Sequence, residues 1–191
     1  MLTVFGKDGK IEHVNQGIGL GIMNHNDVML KYGYSRKTYL EATIPAGQFL
    51  VIRVVLPSNI NHHAEGRILE TFGTSIRYRV YKDVVNANFP AQVSLMPILN
   101  ERGADLITLS TTGSVFSYHG VSVNNPIVSG TLIDNYPVWV LEGAGNRAGS
   151  PEASQSVGGR YYYPSTYAVV IQNIGTISTQ IYYQYEWHEF Y

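Results

Sequence analysis

The residue types best suited to chemistry lie in a few short stretches. His62-His63-Ala64-Glu65 places two imidazoles and a carboxylate close together, all of them ligand types for zinc. Adjacent side chains on a strand point to opposite faces, however, so His62 and His63 cannot both reach one ion. The segment also lacks the further ligand that a closed zinc site needs. We read it as a polar cluster available for surface contacts, with no metal. His13, His25, His119 and His188 are scattered and form no pair by spacing. Gly143-Ala144-Gly145-Asn146-Arg147-Ala148-Gly149 has the glycine density of a dinucleotide loop. Ser150, Pro151 and a polar run follow it, where pyrophosphate binding needs a helix N-terminus. Glu186 and Glu189 flank Trp187 and His188, and read as solvated or interfacial charges at a strand end. No pair of carboxylates stands out as the facing acids of a glycosidase. There is no G-x-S-x-G and no cysteine, which removes the serine elbow and thiol catalysis. The chain is expected to be no enzyme and to carry no cofactor.

The elements that position these residues are strands. Residues 166–187 organise the rest. Residues 167–172 are rich in β-branched types, and Asn173-Ile174-Gly175 supplies turn chemistry. The second arm alternates: Ile177, Thr179, Ile181, Tyr183, Tyr185 and Trp187 share one face, and Ser178, Gln180, Tyr182, Gln184, Glu186 and His188 the other. The pattern predicts a core hairpin with a second arm on the order of 35 Å long. Residues 48–56 form the most apolar run, bounded by Gly47 and Pro57, and Arg53 within it belongs to a wet face or pairs with a carboxylate. Ile76, Tyr78 and Val80 alternate with Arg77, Arg79 and Tyr81. Residues 106–111, 114–118, 127–134 and 138–142 read as further short strands. Residues 58–66 read as a loop or a loop entering a strand, and 143–159 as a long loop of the functional or mobile kind. Helical periodicity is missing throughout, and strands recur with Gly and Pro between them, as in a sandwich or barrel. Residues 2–5 read as a short strand before a turn at 7–10. The Gly-Ile-Gly-Leu-Gly-Ile run at 17–22 reads as part of an extended N-terminal arm over 1–24, ahead of a single domain over 25–191.

Composition narrows the partners. The chain has 191 residues, a net charge of −1 and 14% charged residues, so it lacks the basic stripe of a nucleic-acid binder. No apolar run is long enough to span a membrane, and the first residues lack the pattern of a secretory leader. Fifteen tyrosines and nineteen glycines with so few charges suit flat, amphipathic surfaces that spend their life in contact.

Taken in order, several segments resemble the jelly-roll auxiliary head proteins of tailed bacteriophages, the decoration or cement proteins. They are Asn24-His25-Asn26-Asp27-Val28, residues 48–58, residues 77–83, Met96-Pro97-Ile98-Leu99-Asn100-Glu101-Arg102 and residues 127–133. The fullest likeness is in Tyr163-Pro164-Ser165-Thr166-Tyr167, Asn173-Ile174-Gly175-Thr176 and Glu186-Trp187-His188-Glu189. The chain departs from the family at His188, where a tyrosine is usual, and in its Gly-rich 143–159 loop. The resemblance implies a jelly-roll-like β-sandwich that forms a dimer or trimer. It also implies binding to the major capsid protein on the outer surface of an icosahedral head, after synthesis in the host cytoplasm. Contact residues expected from exposure patterns are Ile18, Leu20 and Ile22 in the arm, His62, His63, Tyr161, Tyr162 and Tyr182. A second expectation remains open: a virion-surface module, or tail or fibre attachment protein, that stacks a glycan on Tyr161 or Tyr162.

Overall fold

The computed structural model describes residues 3–5, 11–13, 35–84, 88–100, 113–127, 129–140, 147–149 and 160–190. The 17–22 run with Ile18, Leu20 and Ile22, the expected strand at 106–111 and most of the 143–159 loop lie outside these residues. Among the described residues every regular element is a strand. In chain order they are β1 (Thr3–Phe5), β2 (Ile11–His13), β3 (Ser35–Ile44), β4 (Phe49–Leu56), β5 (Asn61–Phe72), β6 (Ile76–Lys82) and β7 (Ser94–Leu95). They continue with β8 (Ile98–Asn100), β9 (Val115–Ser122), β10 (Thr131–Val138), β11 (Arg147–Gly149), β12 (Arg160–Tyr162), β13 (Ser165–Asn173) and β14 (Thr179–Phe190). The strand expected near 2–5 is β1, and it pairs antiparallel with β2.

Two antiparallel sheets build the sandwich. One runs β10-β6-β13-β4-β9-β7, the other β11-β5-β14-β3-β8, with β12 also on β5. Successive long strands alternate between the sheets: β3 and β5 lie in the second, β4 and β6 in the first. The chain therefore wraps around its core as a jelly roll.

Two local expectations are corrected. Residues 166–187 are not a hairpin, because β13 pairs with β4 and β6 while β14 pairs with β3 and β5. The turn at 174–178 carries the chain from one sheet to the other. Asn173 fixes this corner: its Nδ2 donates to the carbonyls of Ile44 at 2.9 Å and Ile177 at 2.7 Å, and its Oδ1 accepts from the Gly175 amide at 3.0 Å. The strand expected at 138–142 does not continue into 139–140, since β10 ends at Val138, while residues 61–66 belong to β5, as the reading of 58–66 as a loop entering a strand has it.

Alternation puts Ile181, Tyr183, Tyr185 and Trp187 of β14 against Leu50, Ile52 and Val54 of β4 and Ile76, Tyr78 and Val80 of β6 in one apolar cluster. Trp187 is fully buried, with its ring centroid 4.8 Å from that of Phe116. Ile177 falls outside this dry face and is exposed. The outer face of the first sheet is itself covered. Ala168 and Val170 of β13 pack under Val84, Phe89 and Ile127, which come from the connections.

The second sheet contains a β-bulge. Glu186 pairs with Gly66 and Trp187 with Ala64, so Glu65 has no opposite residue. An extra residue reverses the facing of everything beyond it. His62 and Ala64 face inward before the bulge, and Arg67 faces inward after it. The Arg67 guanidinium lies 4.3 Å from the Tyr78 ring centroid and 4.8 Å from that of Tyr136. Its Nη1 donates to Asp134 Oδ2 at 3.1 Å. Burial works against its charge, but Tyr78, Tyr136 and Tyr183 outweigh burial and raise its pKa. Arg67→Ala removes an ion-pair partner of Asp134 and opens space between the two rings. We expect it to lower stability by about 2–4 kcal/mol in urea unfolding, with Arg67→Lys recovering less than half because it lacks the planar stack. A loss below about 0.5 kcal/mol, the size of an ordinary surface change, would contradict this role.

Candidate functional site

Beyond the bulge toward the C-terminal end of β14, the outer face of the second sheet gathers titratable groups. Cross-strand register sets His188 of β14 beside His63 of β5, and His63 beside Tyr161 of β12. Glu65 Oε1 lies 2.7 Å from His63 Nδ1 and 3.2 Å from His188 Nδ1. These are ion-pair distances, reached off the directions of a regular hydrogen bond. The Tyr161 ring centroid lies 4.5 Å from that of His63. The His63, Glu65 and His188 side chains are 10%, 18% and 3% exposed. They form a recessed cluster with Glu65 as its most open member.

His62 faces the other way. It is buried among Phe116, Tyr162, Tyr185 and Trp187. Among the described residues neither of its ring nitrogens has a hydrogen-bond partner. Burial pushes its pKa well below the usual imidazole value, helped by the nearby His63 and His188. The cavity it lines holds about 30 Å³, space on the scale of one water molecule and far below that of a small-molecule site. Glu189 is buried as well, which corrects the solvated half of its reading as a solvated or interfacial charge. Its Oε1 accepts from Trp187 Nε1 at 3.2 Å and the Ser114 amide at 3.3 Å, and Arg36 Nε stands 3.7 Å from its Oε2. Buried carboxylates persist when paired in this way.

Toward the middle of the same outer face, Tyr182 Oη donates to Gln184 Oε1 at 2.5 Å, and Gln184 Nε2 donates to Glu186 Oε1 at 2.6 Å. Glu41 and Glu70 flank Tyr182 from β3 and β5. Partial burial, then these carboxylates, raise the phenol's pKa. Tyr182 and the two acids line a shallow concavity of about 340 Å³ together with Phe72 and Gln180.

The opposite end of the sandwich also carries exposed apolar side chains. The register places the end of β5, the end of β9, the end of β10 and the β13–β14 corner at that one end. Each presents a large exposed apolar side chain: Phe72 at 37%, Val123 at 71%, Trp139 at 69% and Ile177 at 49%. Single exposed apolar residues are ordinary, but several gathered at one end mark a contact surface.

The expected contact residues therefore separate. Tyr161 is exposed and Tyr182 half-buried on the outer face. His63 is on that face but recessed. His62 is in the core, so it is no surface contact, and strand alternation beside His63 is the reason. Tyr162 is half-buried and packs toward the core, 5.4 Å from the Tyr167 ring. Sequence reasoning missed His188 as the partner of His63, because only the pairing of β5 with β14 brings them together. It also missed Trp139 and Val123, which carry no periodic signal.

No family model matches the chain, and no curated protein matches it. Among the described residues no helix is long and apolar enough to cross a membrane.

The buried His62 gives a pH prediction. Its folded pKa lies below its unfolded value of about 6.5, so the unfolded chain binds a proton that the folded chain refuses. Its contribution is fully present above pH 6.5 and is lost as pH falls from there through the folded pKa, at up to about 1.4 kcal/mol per pH unit. We expect wild-type stability, from denaturant unfolding, to fall relative to His62→Phe between pH 7.5 and pH 5. A constant difference across that range would contradict it.

Proposed function

We propose that this protein is a structural component of a virus particle that docks on the outer surface of an assembled icosahedral head and bridges its subunits. The observation that carries the reading is the apolar end formed by Phe72, Val123, Trp139 and Ile177. The low charge of the chain and its jelly-roll wrapping, an architecture common in viral and lectin domains, support it. The partner is the major capsid protein of a tailed phage head, and the docked unit is a dimer or trimer. A protein that binds only the assembled shell stabilises it by mass action, and several docked copies in one unit multiply weak contacts. Burial of the four apolar side chains supplies the driving force, at roughly 25 cal/mol per Å² before ordering costs.

Light scattering followed by co-pelleting with heads that lack the protein tests this. We expect a dimer or trimer that pellets in stoichiometric amount. Trp139→Ser and Ile177→Ser should each weaken pelleting by about thirtyfold, the scale of an interface hot spot, with an unchanged melting temperature. A monomer that stays in the supernatant while the heads pellet would contradict the reading.

The concavity around Tyr182 favours a second reading, a glycan-binding module, since an aromatic face beside carboxylates and an amide is suited to a sugar ring. Under it Tyr182→Ala abolishes binding on a glycan array while head binding is unaffected. Tyr162→Ala should instead lower stability, because that ring packs against the core.

A further inference from the structure

We propose that His63, Glu65 and His188 form a binding site for one divalent transition-metal ion of the zinc class. His63 and Glu65 come from β5 and His188 from β14, and their ligand atoms all lie within 4.8 Å of one another. Two imidazole nitrogens and one carboxylate oxygen are the ligand set of a three-residue zinc site that leaves a position open. With ligand bonds of about 2.0–2.1 Å, tetrahedral ligands stand about 3.3 Å apart. The Glu65–His188 contact of 3.2 Å already has this spacing, the Glu65–His63 contact of 2.7 Å has to open slightly, and the two imidazoles have to draw together from a spread of up to 4.8 Å.

The backbone explains the convergence. Cross-strand pairing fixes the two imidazoles side by side. The bulge leaves Glu65 without an opposite residue, so its side chain stays on the outer face beside both rings. Bulges re-aim side chains in this way next to functional sites. The tautomer decides between two arrangements. As Nδ1–H tautomers both imidazoles donate toward Glu65 Oε1 with no ion present; as Nε2–H tautomers their Nδ1 lone pairs converge with the carboxylate, and a divalent cation accepts all three. Tyr161, packed at a tilt against His63, holds that ring in place. Three protein ligands leave a fourth position for water or for an oxygen or nitrogen donor from another molecule. The bound ion would also tie β5 to β14 across the sheet.

The test is calorimetric titration of Zn²⁺ into the chelator-treated full chain at pH 7.5, with melting followed in parallel. We expect one ion per chain at this site, and a melting temperature raised by roughly 5–10 °C when zinc is about a hundredfold above its Kd. Glu65→Gln, which keeps shape and removes the charge, and His188→Asn should each weaken binding at least about tenfold, the effect of losing even an outer-shell partner. Glu70→Gln, on the same face away from the trio, should bind as wild type. Binding should fade at pH 5.5, since the imidazoles must be deprotonated to bind. If His188→Asn fails to fold, Glu65→Gln decides alone. Absence of zinc binding in the wild type, or affinity and melting shift unchanged in Glu65→Gln, would overturn the site.

Discussion

One extra residue in β5 sets the character of the second sheet. Glu65 has no opposite residue on β14, and the facing of β5 reverses across it. Before the bulge His62 and Ala64 turn inward against Trp187 and Tyr185. After it Arg67, Leu69 and Thr71 turn inward. Without that reversal Arg67 would face out and Ile68 would take its place in the core. The ring-stacked guanidinium and its contact with Asp134 on β10 would be lost. The same extra residue leaves Glu65 on the outer face between two imidazoles. A single backbone irregularity thus links the packing of the two sheets to the chemistry on the surface.

The sandwich is consequently asymmetric. The outer face of the first sheet is closed by Val84, Phe89 and Ile127 over Ala168 and Val170. The outer face of the second carries the polar ladder of Tyr182, Gln184 and Glu186 and, beyond it, the histidine cluster. The two ends differ as well. One gathers His63, Glu65 and His188, with Glu189 held by Trp187, Ser114 and Arg36, beside the exposed Leu132, Tyr161 and Tyr163. The other is lined by Phe72, Val123, Trp139 and Ile177, apolar side chains left in water. Strands commit inward residues to the core, whereas turns are free to carry residues for a partner. The apolar end is built from turns and strand ends, and that is why we assign docking to it.

Much of the fold was legible in the sequence. The alternation in β14 and β6 named their buried faces, and the apolar run at 48–56 named β4 with Arg53 exposed. Pairing partners were not legible. The Asn173-Ile174-Gly175 turn suits a hairpin and a crossing between sheets equally well, and only the neighbours of β13 and β14 decide. The reading of His62 and His63 as facing opposite ways holds, yet the ligand that completes the cluster, His188, lies far along the chain. Glu189 looked solvated because nothing local announces Ser114 and Arg36 as its partners. Phe72 ends β5, and Val123, Trp139 and Ile177 come from connections with no periodicity, so their shared end emerges only from the sheet register.

The central claim is that the turn end is the docking surface. Hydrogen–deuterium exchange on the head-bound protein tests it most directly. The account predicts slowed exchange at residues 73–75, 122–124, 139–140 and 174–178, with the β3–β14–β5 face unchanged. Protection confined to that sheet face around Tyr182, with the turn end exchanging as in the free protein, would contradict it.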